Sequence, residues 1–267
     1  MVSKYKFNKP RKWNSAAAHR LIKIAGNPKT VEDAVFIMAS RLLEGISCPP
    51  CDLGAICKKL NIREVVSGNI PYSGELRKEE GWGFKIVYSS FLSETRKRFT
   101  IAHECGHAIF DWSGKNWPHS GEELEQICNM LASEILMPKN LFLKCAENEI
   151  SLDKVYKLAQ TFKTSLSTTA VRYALLRNFF VFEVNNRKVT LSLSKGLIKK
   201  GSSISELDET LQETICRTYT EKQIEEKIYL RNGIWGGVFK LEGKLVGRSN
   251  KTLFLLQPET ITSFRNY

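Results

Sequence analysis

The sequence predicts an α+β protein made of helices with a small sheet, followed by a second, smaller α+β part. Amphipathic helices are indicated where apolar residues recur every three or four positions, at 31–43, 98–111 and 122–136. Residues 62–66 and 83–88 are instead typical of strands, and turn residues lie between them. From about Phe179 the pattern changes to short alternating strands, a helix over 204–219 and two or three further strands over 234–256.

Length and composition favour a soluble protein of several folded parts. At 267 residues the chain exceeds one typical domain, and its 42% hydrophobic and 25% charged residues are ordinary for globular proteins. No apolar run is long enough to span a bilayer, and no signal-peptide core is visible, so we expect no membrane association. Seven cysteines without a regular framework favour free thiols in a reducing compartment, which predicts a cytoplasmic protein. The oligomeric state is not indicated.

Positive charge is concentrated at the start of the chain. Residues 1–29 contain eight lysines and arginines and no acidic residue, which accounts for +8 of the total net charge of +12. We therefore expect a basic N-terminal arm over 1–29. Such an arm can contact nucleic acid or an acidic protein, and it can equally be a solubilising tail.

A metal-binding pattern lies inside the helix predicted at 98–111. His103 and His107 are four residues apart, so on a helix both imidazoles project from one face and can bind a single metal ion. Glu104 is turned about 100° from His103, where it can reach a water at the metal rather than the metal itself. Gly106 lowers helix propensity, which predicts that another backbone or a substrate approaches closely there. The pattern predicts a catalytic zinc site with Glu104 as the general base.

A catalytic zinc needs a third protein ligand, and the helix over 122–136 offers three candidates. Glu125 is the first choice, because it follows His107 by 18 residues on the next helix. Glu122, about one turn away on a similar face, is the second. Glu134 is the third, and it lies about half a turn round the helix from Glu125.

Two further residues are candidates for supporting roles. Asn129 lies one turn after Glu125 and can orient an imidazole or a ligand carboxylate. His119 lies in the Gly-, Ser- and Pro-containing loop between the two helices, where it can stabilise a transition-state oxyanion or simply be solvated.

The segments around these residues resemble the ImmA/IrrE-type metallo-endopeptidases. The stretch RFTIAHECGH over 98–107 is similar to the family pattern R-F-T-x-A-H-E-x-G-H, and 125–138 resembles E-x-x-A-N-x-F-A-A-E-L-L-M-P. The resemblance implies a compact zinc-peptidase core in which His103, His107 and Glu125 bind zinc. It also implies cleavage of a partner protein, characteristically a helix-turn-helix transcriptional repressor, in a bacterial stress or mobile-element response.

The chain after this core predicts a helix, a short turn and a helix over 151–177, similar to a helix-turn-helix unit. Four parts are therefore expected: a basic arm over 1–29, a zinc metallopeptidase core over 30–145, a helix-turn-helix-like segment over 146–178, and a C-terminal α+β domain of unknown role over 179–267. The alternative function is a DNA-binding transcriptional regulator with a structural or vestigial metal site. In that case the basic arm or the helix-turn-helix-like segment would contact DNA.

Overall fold

The computed structural model of the protein describes residues 12–79, 81, 83–111, 121–194, 197–232, 235–246 and 251–263. It confirms the α+β fold class, since helices accompany a three-stranded and a five-stranded sheet. The chain divides into two compact units. The first comprises the described residues up to Cys145 together with Ala159–Ser165, and the second comprises Ala146–Leu158 and the described residues from Leu166 onwards. No helix in the described ranges is long and apolar enough to cross a membrane.

The first unit combines helices with the smaller sheet. In order, the chain forms α1 (Ala16–Ala25), α2 (Val31–Leu43), α3 (Leu53–Lys59), β1 (Ile62–Gly68), β2 (Gly74–Glu79), β3 (Gly83–Ser89), α4 (Glu94–Asp111), α5 (Glu122–Leu136) and α6 (Lys139–Ala146). The bounds of α2 and α5 equal those predicted. Helix α2 begins after Thr30, whose hydroxyl accepts a hydrogen bond from the Asp33 N–H at 3.0 Å. Helix α6 was not predicted.

The small sheet has the strand order β1-β3-β2. Strand β3 is central, parallel to β1 and antiparallel to β2, and it buries Phe84, Ile86 and Val87. The two predicted strands, β1 and β3, therefore pair in parallel. Strand β2 forms from the turn-rich stretch between them and lies at the edge of the sheet. The Ser89 N–H donates to the Ser73 carbonyl at 3.0 Å. The alternation of an antiparallel ladder then directs the backbone groups of residues 74 and 76 away from β3.

Helix α5 lies at the centre of the helical layer and packs against α1, α2 and α4. Its buried face includes Ile127, Cys128 and Leu131, none of which is measurably exposed. The contact with α4 is close at Gly106, where an added Cβ would lie 3.1 Å from the Cys128 Cα. The expected close approach at Gly106 is therefore made by another helix.

Helix α1 corrects the expectation of an arm over residues 1–29. Residues 1–11 lie outside the described residues, but residues 16–25 form a helix that buries Ala17, Ala18, Leu21 and Ala25. The Glu123 carboxylate accepts a hydrogen bond from the Ser15 N–H at 2.9 Å, which fixes the start of α1 to α5. The apolar stripe of this helix consists mostly of alanines and is interspersed with basic residues, so the sequence pattern did not indicate a buried face. This part of the predicted arm is a packed helix.

The second unit contains the larger sheet, whose strand order is β5-β4-β8-β7-β6. Its elements are α8 (Leu166–Arg177), β4 (Phe180–Asn185), β5 (Lys188–Leu193), a 3-10 turn (Ile204–Glu206), α9 (Glu209–Glu221), β6 (Gln223–Asn232), β7 (Trp235–Leu245) and β8 (Lys251–Ser263), preceded by most of α7 (Leu152–Phe162). All pairs in this sheet are antiparallel. Phe182 and Phe254 stack at 4.5 Å between ring centroids in the core.

The second unit differs from the prediction in one helix and adds one strand. The helix expected over 204–219 is a 3-10 turn followed by α9, because Asp208 caps α9 by accepting from the Thr210 N–H at 3.0 Å. Strand β6 was not predicted, because charged residues alternate with its buried Ile224, Ile228 and Leu230.

The predicted helix, turn and helix over 151–177 correspond to α7 and α8. Helix α8 packs on β4 and buries Thr169, Ala170, Tyr173 and Ala174. Much of the helix that would read DNA therefore faces the core of the second unit.

Candidate metal centre

Helix α4 places two imidazoles one turn apart at the mouth of a cleft. The Nε2 atoms of His103 and His107 are 3.1 Å apart, and both side chains are about one-seventh exposed, 15% and 14%. Burial, followed by the nearby His103, lowers the pKa of His107 to about 4 against the opposing effect of Glu125. His107 is therefore neutral near pH 7, and a neutral imidazole nitrogen is free to bind a metal.

Glu125 completes the cluster from helix α5. Its Oε2 atom lies 3.1 Å from the His103 Nε2, and its Oε1 atom lies 3.5 Å from the His107 Nε2. Within the described part of the chain, these three residues are the only group of His, Cys, Asp and Glu side chains arranged to hold a metal ion. Ligands at zinc-type bond lengths in a tetrahedron are roughly 3.3–3.5 Å apart, so the observed separations fit one ion.

Asn129 supports the cluster from the next turn of α5. The His103 Nδ1–H donates to the Asn129 Oδ1 over 3.1 Å. This bond leaves the Nε2 lone pair directed at the cluster, which is how metal-binding histidines are commonly oriented. Asn129 therefore lies where it can orient the imidazole of His103, and its supporting role stays a prediction.

Glu104 lies beside the cluster but is not part of it. Its side chain is 6% exposed, and the Leu76 backbone N–H of the edge strand β2 donates to it. Burial, followed by the negative charges of Glu125 and Glu75, raises the pKa of Glu104 to about 7, although the Leu76 hydrogen bond opposes the rise. A cation bound at the cluster would lower this pKa, so the value describes the protein without metal.

The close approach of β2 to α4 depends on Gly74. A Cβ at this position would lie 2.3 Å from the Thr100 Cγ2, 3.3 Å from the Val87 carbonyl oxygen and 3.6 Å from the Glu104 Oε1. A residue with a side chain could not be accommodated without moving the strand or the helix. Gly74 therefore allows the edge strand to reach the buried glutamate.

The alternative ligands lie elsewhere. The Glu122 carboxylate accepts from the Gln126 side-chain amide at 2.8 Å. Glu134 is buried and accepts from the Lys139 N–H at 2.8 Å, which ties it to the start of α6. His119 lies outside the described residues, so its role as an oxyanion stabiliser stays a prediction.

A cleft of about 510 Å³ opens over these groups. Besides the residues already described, its lining includes Ser73, Glu75, Arg96 and Phe99. Phe99 lies on the cleft side of α4, with its ring centroid 6.5 Å from that of His103. The contributions of β2 were missed by sequence reasoning, since strand pairing across the chain carries no local signal.

Comparison with known proteins gives a family for this region. Residues 74–174, which include every residue of the cluster, match the family model described as the IrrE N-terminal-like domain of peptidases. The radiation response metalloprotease IrrE of Deinococcus radiodurans is 38% identical over 71 residues, which cover 23% of this chain and 22% of that relative. The resemblance to the ImmA/IrrE-type family is confirmed over this part of the chain.

A solved structure shares the fold more widely. A protein described as a Mycobacterium tuberculosis transcriptional regulator superposes with a TM-score of 0.57 at 12% identity. The match covers 91% of this chain and 80% of that one. At this identity the likeness shows the fold alone, and it agrees with the α+β class.

Proposed function

We propose that this protein is a zinc-dependent endopeptidase that cleaves a protein partner, with a helix-turn-helix transcriptional repressor as the expected substrate class. The observation that carries the proposal is the convergence of His103, His107 and Glu125 beside a buried glutamate that is not a ligand. Two imidazole nitrogens and one carboxylate oxygen are a donor set that suits zinc in hydrolases. A structural metal site would have no need of Glu104.

When bound, zinc would polarise the scissile carbonyl and acidify a water molecule. Glu104 would accept the proton from that water and return it to the leaving amine. A carboxyl group suits this role when its pKa lies near the working pH, because it then both accepts and releases a proton readily. The Leu76 N–H holds the carboxylate in place. Asn129 fixes the imidazole of His103 so that its Nε2 faces the ligand position.

The edge strand β2 supports a peptide as the substrate. The outward-facing backbone groups of Gly74 and the Leu76 carbonyl lie along the cleft, whereas the Leu76 N–H donates to Glu104. An extended chain can add to such an edge by main-chain hydrogen bonds. Main-chain pairing is largely independent of sequence, so it provides affinity while side-chain contacts provide selectivity. A role in a bacterial stress response is favoured by the named activity of the Deinococcus relative.

The metal ligands can be tested by measuring zinc in purified variants. Glu125→Ala should lose most of its zinc, whereas Glu122→Ala, which removes an exposed carboxylate one turn away, should retain it. Removal of one of the three protein ligands leaves two, which are too few for a catalytic zinc site. Equal zinc in Glu125→Ala and wild type would show that the ligand set is wrong.

The general base is tested separately with the variant Glu104→Gln. This variant should retain zinc but should no longer cleave a co-encoded repressor. Cleavage is measured by mass spectrometry of the products. Full cleavage by Glu104→Gln would refute the mechanism.

The DNA-binding alternative would be favoured by salt-sensitive duplex binding without any proteolysis. The buried face of α8 gives this alternative less support.

A further inference from the structure

Arg96 lies on the same face of α4 as the two histidines. Seven residues separate Arg96 from His103, so the two are offset by only about 20° around the helix and about 10 Å along it. His107 follows one turn further on. Arg96 lines the same cleft as the metal cluster, at the end near Ser73. A ligand that extends along the cleft from the cluster towards the start of α4 therefore reaches this guanidinium.

The guanidinium is held in place by an aromatic ring and a hydroxyl group, and it has no anionic partner in the described part of the chain. It lies over the Phe99 ring, with its central carbon 5.8 Å from the ring centroid, and it donates to the Ser73 hydroxyl at 3.4 Å. Within the described residues, no carboxylate lies within ion-pair distance of it. The nearby acids are engaged elsewhere, because Glu94 pairs with Lys97 and Glu75 pairs with Arg77.

Arg96 is also the only positively charged side chain among the described residues that line the cleft; the other charged lining residues, apart from the histidines, are glutamates. A guanidinium presents several N–H donors in a plane and matches a carboxylate particularly well. An acidic group at this end of the cleft would therefore find a partner that no described side chain already satisfies.

The direction of the peptide follows from β2. Ser73, the residue before this strand, lies beside Arg96, and Leu76 within the strand donates to Glu104. A peptide that pairs antiparallel to β2, the more stable arrangement per residue, therefore runs from the metal cluster towards Arg96. Residues after the scissile bond approach Arg96. An extended chain advances about 3.3 Å per residue, so 10 Å corresponds to about three residues.

We infer that Arg96 selects substrates that carry an aspartate or glutamate about three residues after the scissile bond. This inference rests on the proposed peptidase function and adds a substrate preference to it. Exposed ion pairs contribute modestly, so the expected preference for glutamate over glutamine at that position is about fivefold in kcat/KM. Lysine at that position should be disfavoured.

The test uses fluorogenic decapeptides built on a cleavage site found by mass spectrometry in a peptide mixture. Glutamate, glutamine or lysine is placed at each of the four positions on either side of the scissile bond. The zinc-loaded wild type should cleave the peptide with glutamate at the third position after the bond fastest, and Arg96→Glu should prefer lysine there. Lys97→Glu is the matched control, because the same charge change falls on the adjacent residue, whose ammonium lies over the Tyr88 ring outside the cleft lining.

A second readout measures binding without cleavage. Labelled versions of the same peptides are titrated into Glu104→Gln, with and without Arg96→Glu, and followed by fluorescence anisotropy. The dissociation constants should show the same order of preference as kcat/KM.

Each contrary outcome has a distinct meaning. Cleavage by wild type with no change of preference in Arg96→Glu overturns the role of Arg96 and leaves the peptidase function standing. An equal change in Lys97→Glu also overturns it, because the effect would then be a general field at the helix start. A preference confined to residues before the scissile bond refutes the position. Failure of the wild type to cleave or bind any peptide refutes the proposed function, and this inference falls with it.

Discussion

The contact between Gly74 and Thr100 allows the link between the edge strand and the general base to be tested by a substitution outside the metal cluster. In Gly74→Ala the new Cβ would lie 2.3 Å from the Thr100 Cγ2. This is about 1.2 Å inside the shortest favourable carbon–carbon contact. The backbone of Gly74 is not in the left-handed region, so the penalty is steric. Overpacking of this kind typically costs about 1–3 kcal/mol.

The predicted loss has a structural and a catalytic part. Relief of the clash by movement of β2 away from α4 would lengthen the hydrogen bond from Leu76 to Glu104. A displacement of about 1 Å at a catalytic group can reduce the rate about a hundredfold. We therefore expect Gly74→Ala to lower kcat/KM by about ten- to a hundredfold, with zinc content unchanged.

Rescue by Thr100→Ser provides the decisive comparison. Serine keeps the hydroxyl but removes the methyl group that clashes, so Gly74→Ala combined with Thr100→Ser should recover most of the stability. The remaining contact with the Val87 oxygen at 3.3 Å makes the rescue incomplete. The four proteins of this double-mutant cycle are compared by urea titration with tryptophan fluorescence. The fluorescence reports mainly on the part of the chain that contains the metal cluster, because four of the five tryptophans precede residue 145.

Two results would refute this reasoning. The first is a free energy of unfolding for Gly74→Ala equal to that of wild type, because the clash would then be absent. The second is a loss that Thr100→Ser does not reduce, because the cause would then lie outside the contact between strand and helix.

Two further predictions concern the metal cluster and the second unit. Asn129→Ala should weaken zinc binding about 10–100-fold in competition with a chelating dye, because His103 loses the bond that orients it; unchanged affinity would contradict this role. In the second unit, burial raises the pKa of Glu183 but hydrogen bonds from Lys251, Ser167 and Thr190 outweigh it, so the pKa is lowered. The stabilisation is therefore present above about pH 4.5 and is lost as the pH falls through the lower folded-state pKa. Urea midpoints measured from about pH 6 to pH 3 should fall less steeply in Glu183→Gln, and an identical slope would exclude this carboxyl as the cause.

Local patterns were sufficient to predict the helices that build the site, except that α4 begins at Glu94, four residues before the predicted start at Arg98. Helix α5 begins and ends at the predicted residues, because its apolar stripe is regular and Pro138 follows it. Helix α1 and strand β6 were missed for the opposite reason. In each of them basic or alternating charged residues surround a few buried ones, and only the partner across the fold makes that pattern meaningful.

For the candidate site, too, features set by one segment could be predicted, and features set by contacts between distant segments could not. The spacing of His103 and His107 and the helical position of Glu125 could be predicted, because each depends on helix geometry within one segment. The environment of Glu104 could not, because it depends on β2, which pairs with β3 and reaches α4 through a glycine. The place of Arg96 in the cleft could not be predicted either, because it depends on β2 and Ser73 rather than on a local pattern.

The division of α7 between the two units determines where the polypeptide could be truncated without exposing the core of the first unit. The boundary falls after Leu158, inside the helix, and Ala159–Ser165 belong with the first unit. There the Phe162 ring lies 5.3 Å from that of Phe142, and the Thr164 hydroxyl contacts the Met137 sulfur at 3.6 Å. A polypeptide that stopped at Cys145 would leave one side of Phe142 bare and prone to aggregation. A fragment intended to keep the metal cluster folded should therefore extend at least to Ser165.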